Sequence, residues 1–129
     1  MEIRDAVESD AGRLAALTDT PTDVMRNLVH DRTVRVAEED GDVCGFVSYD
    51  AQRQTVYVTQ LEGDAELCER LLEEPTRFAR TEDMAVELLV AVDDEPVQKA
   101  AERAEFVRRG PGPRFDETRT VRYRWTPEE

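Results

Sequence analysis

Apolar positions along the 129-residue chain change their period several times, and each change marks an element. Residues 1–7 read as a short opening strand with Ile3 turned to the core. Leu14, Ala15 and Leu17 then recur at helical spacing behind Ser9 and Asp10, either of which suits a helix cap. Thr20, Pro21 and Asp23 give a second helix start: a hydroxyl cap, a proline at the first helical position and an acid three residues on. Val24, Met25, Leu28 and Val29 supply its apolar face. Residues 33–39 alternate Val34 and Val36 with polar neighbours, as a half-buried strand does. Asp40 and Gly41 make a hairpin turn into a strand at 43–50, and Arg53 with Gln54 marks another turn. A third strand at 55–61 sets Val56, Val58 and Gln60 on one face and Tyr57, Thr59 and Leu61 on the other.

Beyond residue 64 the period becomes helical. Leu67, Leu71, Leu72, Phe78 and Ala79 share a face, and Pro75 is expected to kink or restart the helix. Residues 85–92 are apolar except for Glu87, which predicts a central strand covered on both faces. Asp94, Glu95 and Pro96 open a helix that buries Val97, Ala100, Ala101 and Ala104. A short strand at 106–109 and a Gly-Pro-Gly-Pro loop lead to a closing strand at 118–125. There Val121, Tyr123 and Trp125 face inward, Arg122 and Arg124 outward. The order predicts one layered, mixed α/β domain over residues 1–129.

Composition narrows the function classes. Hydrophobic residues make up 40%, enough for one core. No apolar run approaches the ~18 residues of a membrane span, and no charged-then-apolar leader opens the chain, so a soluble, cytoplasmic protein is expected. Two cysteines, Cys44 and Cys68, exclude a disulfide scaffold and read as buried thiols. The net charge is −13, which disfavours nucleic acid as a partner, because phosphate contacts need basic surface. Lys99 stands alone among 17 basic residues, the rest being arginine, and Ile3 is the single isoleucine. This resembles the bias of extremely halophilic archaea, in which high salt screens an acidic surface. The charge is uneven: residues 99–124 carry eight basic and four acidic side chains. Two readings stay open there. The arginines pair with acids of the same fold or of a homodimer, or Arg108, Arg109, Arg114, Arg119, Arg122 and Arg124 build an anion site. One histidine, His30, and two distant cysteines give no metal-ligand spacing.

Three stretches carry a resemblance to a known family. The opening Ile3-Arg4-Asp5-Ala6-Val7-Glu8-Ser9-Asp10, the tract Val43-Cys44-Gly45-Phe46-Val47-Ser48-Tyr49-Asp50 after an acidic-glycine hairpin, and residues 86–106 follow one another as in the GNAT superfamily of acetyl-CoA-dependent N-acetyltransferases. The resemblance spans essentially the whole chain. It implies a mixed, mostly antiparallel twisted sheet of about six to seven strands with about four helices, splayed between the fourth and fifth strands to admit acetyl-CoA. It further implies a pyrophosphate cradle of backbone amides at the next helix start, with an amine, on a small molecule or a protein, as acceptor.

Placed on this sequence, the fourth-strand contacts implied for the cofactor fall on Gln60 and Leu61, and the cradle on Gly63, Asp64, Ala65 and Glu66. The family's cradle is richer in glycine and carries a basic residue, whereas here Glu62, Asp64 and Glu66 crowd it. The family's proton-donating tyrosine falls on Ala101, its glycine before a phenylalanine on Glu105, and its asparagine on Asp94. Glu62 by position is the candidate base, and Tyr49 or Tyr57 the candidate replacement acid. Two functions are therefore carried forward: an acetyltransferase acting on an amine, or a non-catalytic binding or assembly module on the same fold. Acceptor contacts would come from residues 18–22 and 110–117.

Overall fold

The structure, a computed structural model, describes residues 1–114 and 117–127, so Phe115 and Asp116 of the expected acceptor loop lie outside the described residues. Among the described residues, seven strands form one sheet: β1 (Glu2–Asp5), β2 (Thr33–Glu39), β3 (Asp42–Gln52), β4 (Thr55–Glu62), β5 (Ala85–Ala91), β6 (Val107–Pro111) and β7 (Thr120–Trp125). Their spatial order is β1-β2-β3-β4-β5-β7-β6. The helices are α1 (Ala11–Thr18), α2 (Thr22–Asp31), α3 (Ala65–Glu82) and α4 (Glu95–Arg103), and one 3-10 turn, Glu8–Asp10, precedes α1. β4 and β5 alone pair in parallel; the other neighbours are antiparallel. Tight turns serve the hairpins, as at Asp40 and Gly41, which both take positive φ. A parallel neighbour needs a long crossover, and α3 supplies it.

The helices divide between the two faces. α3 and α4 cover one face, where Leu71, Leu72, Ala100 and Ala101 meet Val47, Val56, Val86 and Tyr123 in the main core. α1 and α2 cover the other face over β2 and β3, around Leu14, Met25, Val36 and Phe46. The β5–β7–β6 half therefore has helices on one side only. Leu89, expected under cover, is 38% exposed for that reason.

Three local expectations are corrected. Pro75 neither ends nor restarts α3, which runs unbroken for 18 residues. Its buried ring forgoes one backbone bond, while the Thr76 hydroxyl donates to the Leu72 carbonyl at 3.0 Å. Thr20 does not cap α2: its hydroxyl donates to the Thr18 carbonyl, and Pro21 occupies the cap. Asp10 precedes α1 but makes no side-chain cap bond to it. Its buried carboxylate instead accepts two bonds from the Arg4 guanidinium, at 2.9 and 3.0 Å, and one from the Val7 amide. Cys68 is buried and Cys44 half-buried, both as free thiols.

Candidate functional site

The site begins with one extra residue. Ser48 of β3 faces Gln60 of β4, whereas Tyr49 faces Val58, so Thr59 is inserted as a bulge. A bulge puts two consecutive side chains on one face and reverses the phase beyond it. Thr59 meets the Ser48 hydroxyl at 2.5 Å, and Gln60 lines a cleft of about 250 Å³ with Val24, Met25 and Leu28 of α2. Leu61 turns to the main core. This corrects the expected alternation, which put Gln60 with the core valines. The Gln60 Oε1 atom is buried without a hydrogen-bond partner.

Immediately past the bulge the sheet opens. Parallel pairing joins residues 55–58 of β4 to 85–88 of β5 and stops at Val58 and Leu88. Residues 59–62 continue without a β5 partner, which leaves one edge of their backbone facing a gap. Two helices start at its mouth. Asp64 caps α3, accepting the Leu67 amide at 2.8 Å, and Asp94 caps α4, accepting the Val97 amide at 3.3 Å. Each helix brings the positive end of its dipole to this mouth. The backbone is packed closely here. Gly63 takes φ +145°, and a Cβ on Gly45 would stand 2.4 Å from the Glu62 carbonyl oxygen and 2.6 Å from Leu67 Cδ2.

The local field is negative in spite of the dipoles. Burial raises the Glu62 carboxyl above its ordinary value, and the Asp94 charge adds to it. Burial, followed by the charges of Asp94, Glu62 and Asp64, pushes the Cys68 thiol up to about 12. A thiol near a helix start is ordinarily pulled the other way. Cys68 donates instead to the Gly63 carbonyl at 3.3 Å.

Glu62, Gly63, Asp64, Ala65 and Glu66 are thus brought to one lip of the gap, with Asp94 on the other, and Gln60 and Leu61 lend their backbone to its edge. Tyr57 leaves β4 before the gap opens, beside Glu87, and is 40% exposed. Tyr49 is buried against Phe78 of α3, ring centroids 6.3 Å apart, and burial raises its hydroxyl. Neither tyrosine reaches the mouth with its strand. His30 is exposed at the end of α2, 3.5 Å from Glu8. Among the described residues no group of three His, Cys, Asp or Glu is placed to hold a metal ion, and no helix is long and apolar enough to cross a membrane. Sequence reasoning missed the Ser48–Thr59 contact and the orphaned Gln60 oxygen. Gly45 inside a strand signals only the close approach of the Glu62 carbonyl at the β4 end.

A seven-stranded, mostly antiparallel open sheet with four helices matches the GNAT fold. Three solved structures show the likeness. A GNAT-family protein from Desulfovibrio desulfuricans is 19% identical with a TM-score of 0.77, covering 97% of this chain and 98% of that one. Ribosomal-protein-alanine N-acetyltransferase from Brucella melitensis is 17% identical at 0.81, covering 98% and 99%. YncA from Salmonella typhimurium, solved with its cofactor acetyl-CoA, is 18% identical at 0.82, covering 100% and 95%. No family model matches the chain, and no curated protein matches it in sequence.

The mouth can be tested for acetyl-CoA on its own geometry. The unpartnered backbone of residues 59–62 suits a pantetheine arm, whose amides can pair with a free strand edge. The first-turn amides of Ala65 and Glu66 have no intrahelical acceptor and suit phosphate oxygens. Against this, the Asp64 carboxylate already holds the Leu67 amide, and Glu62 and Asp94 flank the opening. The arm fits, and the diphosphate fits through backbone donors under carboxylate repulsion.

Proposed function

We propose that this chain is a divergent GNAT-type N-acetyltransferase that takes its acetyl group from acetyl-CoA, as thioester donor, and passes it to an amine. The observation that carries this reading is the unpartnered β4 edge at residues 59–62, set between the starts of α3 and α4. Gln60 and Leu61 would hold the arm along that edge, and a backbone amide of the same edge would polarise the reacting carbonyl. Gly63, Ala65 and Glu66 would offer the diphosphate their backbone, with Asp64 fixing the helix start. Glu62 is the proposed base. Its raised carboxyl is better matched to taking a proton from an ammonium than an ordinary surface carboxylate. Ala101, at the family's tyrosine position, is buried in the main core, and Tyr57 lies on the paired part of β4 short of the mouth, so the sulfur would draw its proton from water.

The acidic mouth ties this activity to salt. Each carboxylate about 6 Å from a phosphate charge opposes binding by roughly 0.7 kcal/mol in water. Molar salt shortens the screening length to about 3 Å and removes most of that. The reading therefore includes a salt-rich cytoplasm, consistent with the net charge of −13. The test is thermal stability with acetyl-CoA in about 0.1 M and about 2 M KCl. A saturable shift that grows with salt is expected. Its absence at both concentrations overturns the reading and leaves the non-catalytic module, which the carboxylate on the Leu67 amide favours.

A further inference from the structure

The arginine-rich end of the chain divides in the structure. Arg122 and Arg124 both reach Glu87, at 3.8 and 2.5 Å, so they belong to ion pairs within the fold. Arg108, Arg114 and Arg119 make no ion pair among the described residues, and all three line one cleft of about 400 Å³. Among the described residues its remaining lining is Val92, Gly110, Pro111, Gly112, Thr120 and Val121, none of them a carboxylate. In a chain with 30 acidic residues, three arginines lining one hollow with no carboxylate among its described residues are a local exception.

The backbone explains why the hollow stays open. Gly110 takes φ +113°, and Pro111 offers no amide to fill the space. Gly112 lies so close over Thr120 and Leu89 that a Cβ there would stand 2.5 Å from the Thr120 hydroxyl. That hydroxyl donates to the Pro113 carbonyl and ties the loop down. Thr120 pairs with Ala91, the last residue of β5, so the cleft opens at the same end of the sheet as the gap beyond Leu88.

We infer that Arg108, Arg114 and Arg119 form a binding site for a phosphomonoester group carried by a small molecule other than the acyl donor. Three forked donors match the three terminal oxygens of a phosphate dianion, and charge-assisted bonds of this kind are about twice as strong as neutral ones. A single carboxylate would satisfy fewer of them. This inference does not depend on the acetyltransferase reading, since the cleft is separate from the α3 start.

The test uses the full chain with inorganic phosphate as probe, titrated by ³¹P NMR at low ionic strength, in the native protein and in the Arg108→Gln/Arg119→Gln double variant. Saturable binding is expected, weakened roughly tenfold or more in the double variant. Arg122→Gln, which leaves the cleft lining intact, should stay within about twofold of native. The inference is overturned if phosphate shows no saturation, or if the double variant binds as the native protein does. It is also overturned if CoA binds more tightly than dephospho-CoA and the double variant erases that difference, because the cleft would then hold the donor's own 3′-phosphate.

Discussion

Replacing Gly45 by alanine tests the close approach that shapes the mouth. The added Cβ would stand 2.4 Å from the Glu62 carbonyl oxygen and 2.6 Å from Leu67 Cδ2. The leucine methyl can turn away, but the carbonyl is main chain at the last position of β4 and can retreat only if the strand end moves. Overpacking of this kind costs about 1–3 kcal/mol, a large share of the roughly 5–15 kcal/mol that holds a domain together. For a domain of this length each kcal/mol lowers the melting temperature by about 4 °C, so a fall of about 4–12 °C is expected. Gly12→Ala is the control. Its Cβ meets nothing within 4 Å inside α1, and better helix propensity should raise stability by about 0.5–1 kcal/mol. Urea unfolding followed by circular dichroism gives both values on one scale. A Gly45→Ala midpoint as high as that of the native protein, with an unchanged slope, would refute the packing argument and with it the placement of the β4 end.

Three further outcomes follow from named contacts. Asp10→Asn breaks the paired bonds from Arg4 and should cost about 1–3 kcal/mol at neutral pH. Arg4 holds the Asp10 carboxyl below its ordinary value, so the native advantage shrinks as pH falls below 3.8, and the urea midpoints of native and variant should lie closer together at pH 3 than at pH 7. Glu62 has the opposite sign: its raised carboxyl penalises the folded state once pH climbs through the native value. Glu62→Gln should therefore stabilise the protein at pH 7 by less than about 1 kcal/mol, solvent screening included, while abolishing acetyl transfer; unchanged turnover removes it as base. Glu105 closes α4 at φ +72°, a left-handed conformation that glycine adopts freely. Glu105→Gly should raise the melting temperature, the relief being about 0.5–1 kcal/mol, and a lowered one would contradict the backbone assignment.

The element order was readable because each stretch carried its own period and its own stop. Asp40 and Gly41 announced a turn that only positive-φ residues make easily, and Asp94 before Glu95 and Pro96 announced a helix start that the structure keeps. What escaped were effects set by neighbours. Nothing local to residues 55–61 reveals that Thr59 is surplus, since the bulge exists only in the pairing of β4 with β3. Strict alternation therefore assigned Gln60 and Leu61 to each other's faces. Leu89 was misread similarly: an apolar run shows what a strand could bury, not whether a helix lies above it. At the site, Glu62, Asp64 and Glu66 were visible as acids out of place for a diphosphate cradle. The rise of the Cys68 thiol was not visible, because it comes first from burial and then from Asp94, Glu62 and Asp64, which only the fold gathers around one sulfur.

The outer margin of the sheet bears on how the protein behaves when concentrated. β6 is five residues long, carries Arg108 and Arg109 side by side, skips a pairing step between Arg108 and Gly110, and finishes on Pro111. A foreign strand arriving there meets repulsion between cations, an interrupted ladder and a missing donor. Growth by stacking copies along that border is thereby opposed.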